Sequence, residues 1–159
     1  MFKLTVVAIG REKDNNFQAL GKEYAKRSGP YAKIRVVELP EEPFGKNYDA
    51  VKVKKVEGGR ILDYLTNNAR GAFVVALERT GQEISSEKLA ELTGDWGRSG
   101  REIVFVIGGA LGLSPEVLVA ADSQLSLSKM TFTHFMARVF LLEQIYRALT
   151  ILQGKKYHY

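Results

Sequence analysis

The sequence contains no cysteine, so disulfides, thiolate metal sites and cysteine nucleophiles are excluded. Its two histidines, His134 and His158, are too few for an ordinary zinc site. A long uncharged apolar run is also missing. The most apolar stretch, residues 135–152, carries Arg138, Glu143 and Arg147, which argues against a membrane span. The first apolar run, Leu4 to Ile9, gives way to Gly10-Arg11-Glu12-Lys13-Asp14 without a small-residue cleavage pattern. It reads as a strand rather than a signal peptide. The expected location is cytoplasmic.

What is present fits one domain over residues 1–159. The chain has 159 residues, 45% of them hydrophobic and 26% charged, ordinary values for a globular protein with a real core. The formal charge is +5 and unevenly placed. Residues 1–60 hold 13 Lys/Arg against 8 Asp/Glu, whereas residues 61–159 hold 10 of each. Lys22, Lys26, Arg27, Lys33, Arg35, Lys46, Lys52, Lys54 and Lys55 belong to the basic part. A polyanion partner is compatible with this excess, and so are simply solvated helix faces.

Strand and helix patterns alternate along the chain. Strands are expected at 4–9, 34–39, 72–77, 102–107 and 123–128, from short runs rich in Val, Ile and Leu or of alternating polarity. Helices are expected at 15–28, 49–67, from Ser85 or Ser86 to about Gly97, from Ser114-Pro115, and from about Thr133 to Gln153. Gly58-Gly59 weakens the second of these. The order implies an α/β fold, a parallel sheet with helices on both faces, which binds ligands beyond the carboxyl ends of its strands.

Three loops lie at such ends. Gly108-Gly109-Ala110-Leu111-Gly112 follows a buried strand and precedes a capped helix, an arrangement that brings backbone N–H groups close to a ligand. Its spacing is not that of a dinucleotide fingerprint or a P-loop. Ser128-Lys129-Met130-Thr131-Phe132-Thr133-His134 mixes hydroxyl and apolar side chains, which suit an adenine ring and a thioether. It also reads as a plain connection with Thr131 or Thr133 as helix cap. Leu77-Glu78-Arg79-Thr80-Gly81-Gln82 is by itself only a polar turn. The last helix has apolar residues around most of its circumference, which a short chain cannot easily cover alone, so a homodimer is expected. The tail Gly154-Lys155-Lys156-Tyr157-His158-Tyr159 offers cations and aromatic rings to RNA, or is simply a frayed terminus.

Taken together, these residues are familiar. Lys3-Leu4-Thr5-Val6-Val7-Ala8-Ile9-Gly10, Arg27-Ser28-Gly29-Pro30-Tyr31, Glu57-Gly58-Gly59-Arg60, Ile107-Gly108-Gly109 with Gly112-Leu113, Leu125 to Phe132, His134, Glu143 to Ala148 and Tyr157-His158 occur in order along the whole chain. In these the chain resembles the RlmH family of the SPOUT superfamily, methyltransferases of large-subunit ribosomal RNA. The resemblance implies a C-terminal trefoil knot, a rare topology. It implies a homodimer with S-adenosylmethionine in the knot at the dimer interface, contacted at Leu77, at Gly108 and at Leu127, Ser128, Lys129, Met130, Thr131 and Phe132. It implies a substrate, a pseudouridine of 23S ribosomal RNA in the assembled ribosome, methylated on N3. Relatives often have proline where this chain has Thr133, which loosens the loop. Methyl transfer is catalysis by positioning and also needs a proton acceptor. His158 and Tyr157 are the candidate acceptors, with Arg138 and Lys129 as candidate holders of substrate anions. A non-catalytic RNA-binding protein and a transfer-RNA methyltransferase are the rival readings.

Overall fold

A computed structural model describes residues 1–98 and 100–157. Ten elements follow one another: β1 Phe2–Ile9, α1 Asn15–Ser28, β2 Ala32–Leu39, α2 Ala50–Asn68, β3 Phe73–Glu83, α3 Ser86–Gly97, β4 Ile103–Ile107, α4 Pro115–Ala120, β5 Ser123–Ser126 and α5 His134–Leu152. The strands form one sheet in the order β2-β1-β4-β3-β5, and every pairing is parallel.

The side-chain alternation of the strands divides the core in two. Leu4, Val6, Ala8, Val75, Ile103, Phe105 and Ile107 face α5 and α3, packing on Leu141, Leu142, Ile145, Leu149, Leu89 and Ala90. Val7, Ile9, Val74, Ala76, Val104 and Val106 face α2 and α4, packing on Ile61, Leu113 and Val117. The helix starts follow from local chemistry. Asp14, Asp49, Ser85, Ser114 and Thr133 each accept hydrogen bonds from first-turn backbone N–H groups.

Three expectations are corrected, and the helix expected at 49–67 is found at Ala50–Asn68 despite its two glycines. The strand read at 72–77 runs on to Glu83, so the supposed polar turn 77–82 is strand with an irregularity. Leu77 and Gln82 both pair with Leu125, and the residues between them bulge from the ladder. The strand read at 123–128 stops at Ser126, because the Ser126 hydroxyl donates to the Ser128 carbonyl (3.0 Å) and turns the chain. Helix α2 runs unbroken through Gly58-Gly59. A Cβ on Gly58 would stand 2.2 Å from the Ser114 Oγ, so glycine there allows α2 to approach the cap of α4. Finally, one chain covers much of α5 by itself. Arg138, Leu141, Leu142, Ile145, Ala148, Leu149 and Thr150 are all buried.

Candidate active site

The bulge of β3 and the carboxyl ends of β4 and β5 open into a cleft of about 890 Å³. That volume suits a small-molecule ligand. Leu77, Ile107, Leu113, Leu125, Leu127 and Phe132 supply apolar walls, and the glycine loop supplies backbone. Gly112 takes φ +86°, and its N–H donates to the Gly109 carbonyl at 3.0 Å. A Cβ on Gly108 would lie 2.7 Å from the Gly112 carbonyl carbon. The loop therefore folds back on itself more tightly than any side chain at Gly108 would allow.

The loop after β5 is fixed by its own hydroxyls. The Met130 N–H donates to the Ser128 Oγ at 3.0 Å. Thr133 caps α5 by accepting from the Met136 N–H (3.3 Å), with φ −59°. That φ is the one proline would impose. The backbone thus keeps a proline-like shape at this position, and the Thr133 hydroxyl adds a cap that proline lacks.

Of the residues expected at the cofactor, Leu77, Gly108, Leu127, Ser128, Met130, Thr131 and Phe132 line this one cleft. Lys129 does not. Its side chain is 87% exposed, with Nζ 4.0 Å from Glu83. Arg138 also lies elsewhere. It is buried, donates to Glu38 Oε1 (2.5 Å) and to the Gly10 carbonyl (2.8 Å), and lines a separate hollow between α1, β2 and α5. With both terminal nitrogens engaged, its guanidinium braces β1 and β2 against α5. Tyr157 packs on Tyr146, with ring centroids 4.7 Å apart, beneath the Arg147 guanidinium. Burial, with the nearby Tyr24 and Glu143, raises its phenol and so holds it protonated at neutral pH. His158 lies outside the described residues.

Sequence reasoning gave no role to Lys54, Arg79 and His134, which also line the cleft. Lys54 comes from α2, and no local pattern connects it with loops more than twenty residues away in the chain. His134 opens α5, with its Nε2 buried and unpartnered among the described residues. Burial, and then the charge of Arg138, hold its imidazole below the ordinary range. Below the glycine loop sits Glu57 of α2. Its Oε1 accepts from the Glu42 N–H (3.0 Å), and burial raises its carboxyl. Its Oε2 points at Gly109 and has no partner among the described residues.

Apolar walls, a glycine turn and the ends of parallel strands together define an α/β protein with a cleft for a small, partly apolar ligand. Comparison with known proteins sharpens this class. A family model described as "Predicted SPOUT methyltransferase" matches residues 2–158. Ribosomal RNA large subunit methyltransferase H from Clostridium novyi (strain NT) is 45% identical, covering 98% of each chain. The protein of the same name from Pelotomaculum thermopropionicum is 46% identical over the whole of both chains. The chain belongs to the SPOUT methyltransferases and, within them, to the RlmH family. Solved structures agree on the fold. The SpoU methyltransferase AviRb from Streptomyces viridochromogenes, in complex with the cofactor AdoMet, superposes with TM-score 0.52 at 12% identity, over 96% of this chain and 58% of that one. A protein solved in connection with 2-OH methylation of C/U34 on tRNA gives 0.51 at 18% identity, over 97% and 99%.

Proposed function

We propose that this chain transfers a methyl group from S-adenosylmethionine to N3 of a pseudouridine in 23S ribosomal RNA of the assembled large subunit. It works as a cytoplasmic homodimer with a knotted C-terminal half, residues 1–159 forming one catalytic unit. The observation that carries this reading is the convergence of the β3 bulge and the loops after β4 and β5 on one cleft. Two relatives at 45% and 46% identity bear the name of a ribosomal RNA large subunit methyltransferase. No helix among the described residues is long and apolar enough to cross a membrane.

The cleft fits the cofactor on two grounds. Its walls are apolar where an adenine and a thioether need them, and the backbone cradle at Gly108 would be filled by any Cβ. Leu77, Gly108, Leu127, Ser128, Met130, Thr131 and Phe132 would hold the cofactor. When bound, it supplies a methyl group activated by a sulfonium. The chain's own part is to place the target base and exclude water. The glycine loop and the hydroxyl-fixed turn at Ser126–Met130 are already shaped, so little ordering is needed when a ligand enters. The proton on N3 goes to His158. Tyr157, held protonated, donates a hydrogen bond rather than accepting the proton. The dimer is supported by apolar side chains left open beside the cleft: Met130 is 74% exposed, and the packed pair Phe132 and Phe140 is 36% and 39% exposed.

Calorimetry with S-adenosylmethionine, together with mass mapping of nucleosides from a deletion strain with and without this gene, tests the reading. Micromolar binding and restoration of N3-methylpseudouridine in 23S RNA are expected. No binding by the folded protein leaves only an RNA-binding module, and a modified transfer RNA moves the substrate. His158→Ala is expected to lower turnover most from neutral pH upward, where an imidazole is free to accept a proton, and least at low pH; an unchanged pH profile removes it as acceptor.

A further inference from the structure

The segment joining β2 to α2 has no part in the cleft, yet it is unusually furnished. Phe44 and Tyr48 are 42% and 46% exposed, and their rings pack together at 4.7 Å and 52°. Lys46 in the same segment and Lys52 and Lys55 in the first turns of α2 are exposed, Lys55 within electrostatic reach of Glu116 of α4, and Lys54, one helical turn into α2, lines the cleft. Among the described residues no carboxylate forms an ion pair with any of these four lysines. The acids of the segment are mostly engaged. Glu42 pairs with Arg60 at 2.7 Å, and Asp49 caps α2. Glu41 is exposed and forms no ion pair among the described residues, though its charge acts on His134.

The segment is also held in place. Arg60 donates to the Pro40 carbonyl at 2.8 Å, and the Glu42 N–H donates to Glu57 at 3.0 Å. Glu57 in turn sits against Gly109 of the glycine loop. Both ends of the segment are therefore fixed relative to the cleft by α2, with the aromatic pair between them, which lowers its ordering cost on binding.

We propose that Phe44, Tyr48, Lys46, Lys52 and Lys55 form a docking platform for an unpaired segment of RNA, flanking the base that enters the cleft. The rings offer faces on which bases stack, and the lysines meet the phosphates between them. Lys54 bridges platform and cleft. The identity of the RNA as ribosomal rests on the function proposed above.

Three variants test it: Phe44→Ala with Tyr48→Ala, Lys52→Glu with Lys55→Glu, and Lys88→Glu on α3 of the opposite face as a charge control. In ribosome methylation the aromatic variant should raise KM about tenfold with kcat nearly kept, consistent with the loss of stacking. The lysine variant should reduce the slope of log affinity against log salt by about two, one for each phosphate contact. All three should bind S-adenosylmethionine as the parent does. Equal harm from Lys88→Glu, or parental KM and salt slope in both platform variants, overturns the platform. A fluorescein-labelled RNA stem-loop, followed by anisotropy, separates the two levels. Loss of stem-loop binding in the platform variants supports the platform even if ribosomes prove not to be the substrate. Parental stem-loop binding in both overturns it even if ribosomes are methylated.

Discussion

The two faces of the sheet are built differently. Toward α1, α3 and α5 the core is made of large side chains: Phe105 and Ile103 from β4 meet Leu141, Leu142, Ile145 and Leu149, with Trp96, Phe73 and Tyr24 at the margin. Toward α2 and α4 it is made mostly of valine and alanine, with Ile9, Ile61 and Leu113 as its largest buried members. Polar groups are buried there too, among them Glu57 and Ser114. One face supplies apolar area and hence stability. The other gives up side-chain volume for close approach, so that α2 can reach both the cap of α4 and the glycine loop. Chemistry gathers at the end of the sheet that this second face supports.

The sharpest way to break the contrast is Phe105→Ala. Phe105 is among the largest side chains buried completely, and its loss should cost about 3–5 kcal/mol in urea unfolding. A cost below about 1 kcal/mol would remove the first face as the main source of stability. Gly108→Ala acts on the site instead. The added methyl meets the Gly112 carbonyl carbon at 2.7 Å, so the loop must open. Stability should fall by about 1–3 kcal/mol, while affinity for S-adenosylmethionine measured by calorimetry should drop at least about tenfold. Parental affinity would detach the glycine loop from the cofactor.

The smallest effect is a pH dependence. Burial keeps His134 neutral in the native state, whereas the unfolded chain titrates near 6.5. As pH falls the unfolded chain takes up this proton first, so the contribution is intact above about 6.5 and is lost progressively below it. Unfolding free energy between about pH 7.5 and 5 should therefore decline less in His134→Asn than in the parent. Equal declines would show that His134 charges as easily inside as outside.

Much of this was legible in the residues. The alternation of apolar strands with capped helices marks the parallel sheet, because each signal is local: Asp or Ser before a helix, β-branched runs in the strands. The glycine loop and the Leu127–Phe132 turn are equally readable, since both follow directly on buried strands. What could not be read depends on contacts distant in sequence. Gly58 looks like a helix breaker until Ser114 is placed against it. Arg138 looks like a free cation until Glu38 and Gly10 are brought to it across more than 90 residues. Lys129 falls in the expected cofactor loop by sequence, but its side chain turns outward toward Glu83. The apolar circumference of α5 suggests a surface needing a second subunit, yet α1, α3 and the sheet bury most of it. The open remainder lies at Phe140, packed against Phe132 of the preceding loop, and at Leu152 at its end.

The bulge in β3 has a consequence for how this architecture can vary. Leu77 and Gln82 face the same residue of β5, so the four residues between them leave the ladder and return to the same place. Such an excursion is closed at its base by the sheet. Doubling its length costs only about 0.6 kcal/mol of closure entropy. The lip formed by Glu78, Arg79, Thr80 and Gly81 can thus be recut, in evolution or by design, to admit a different guest while the strands beneath stay in step.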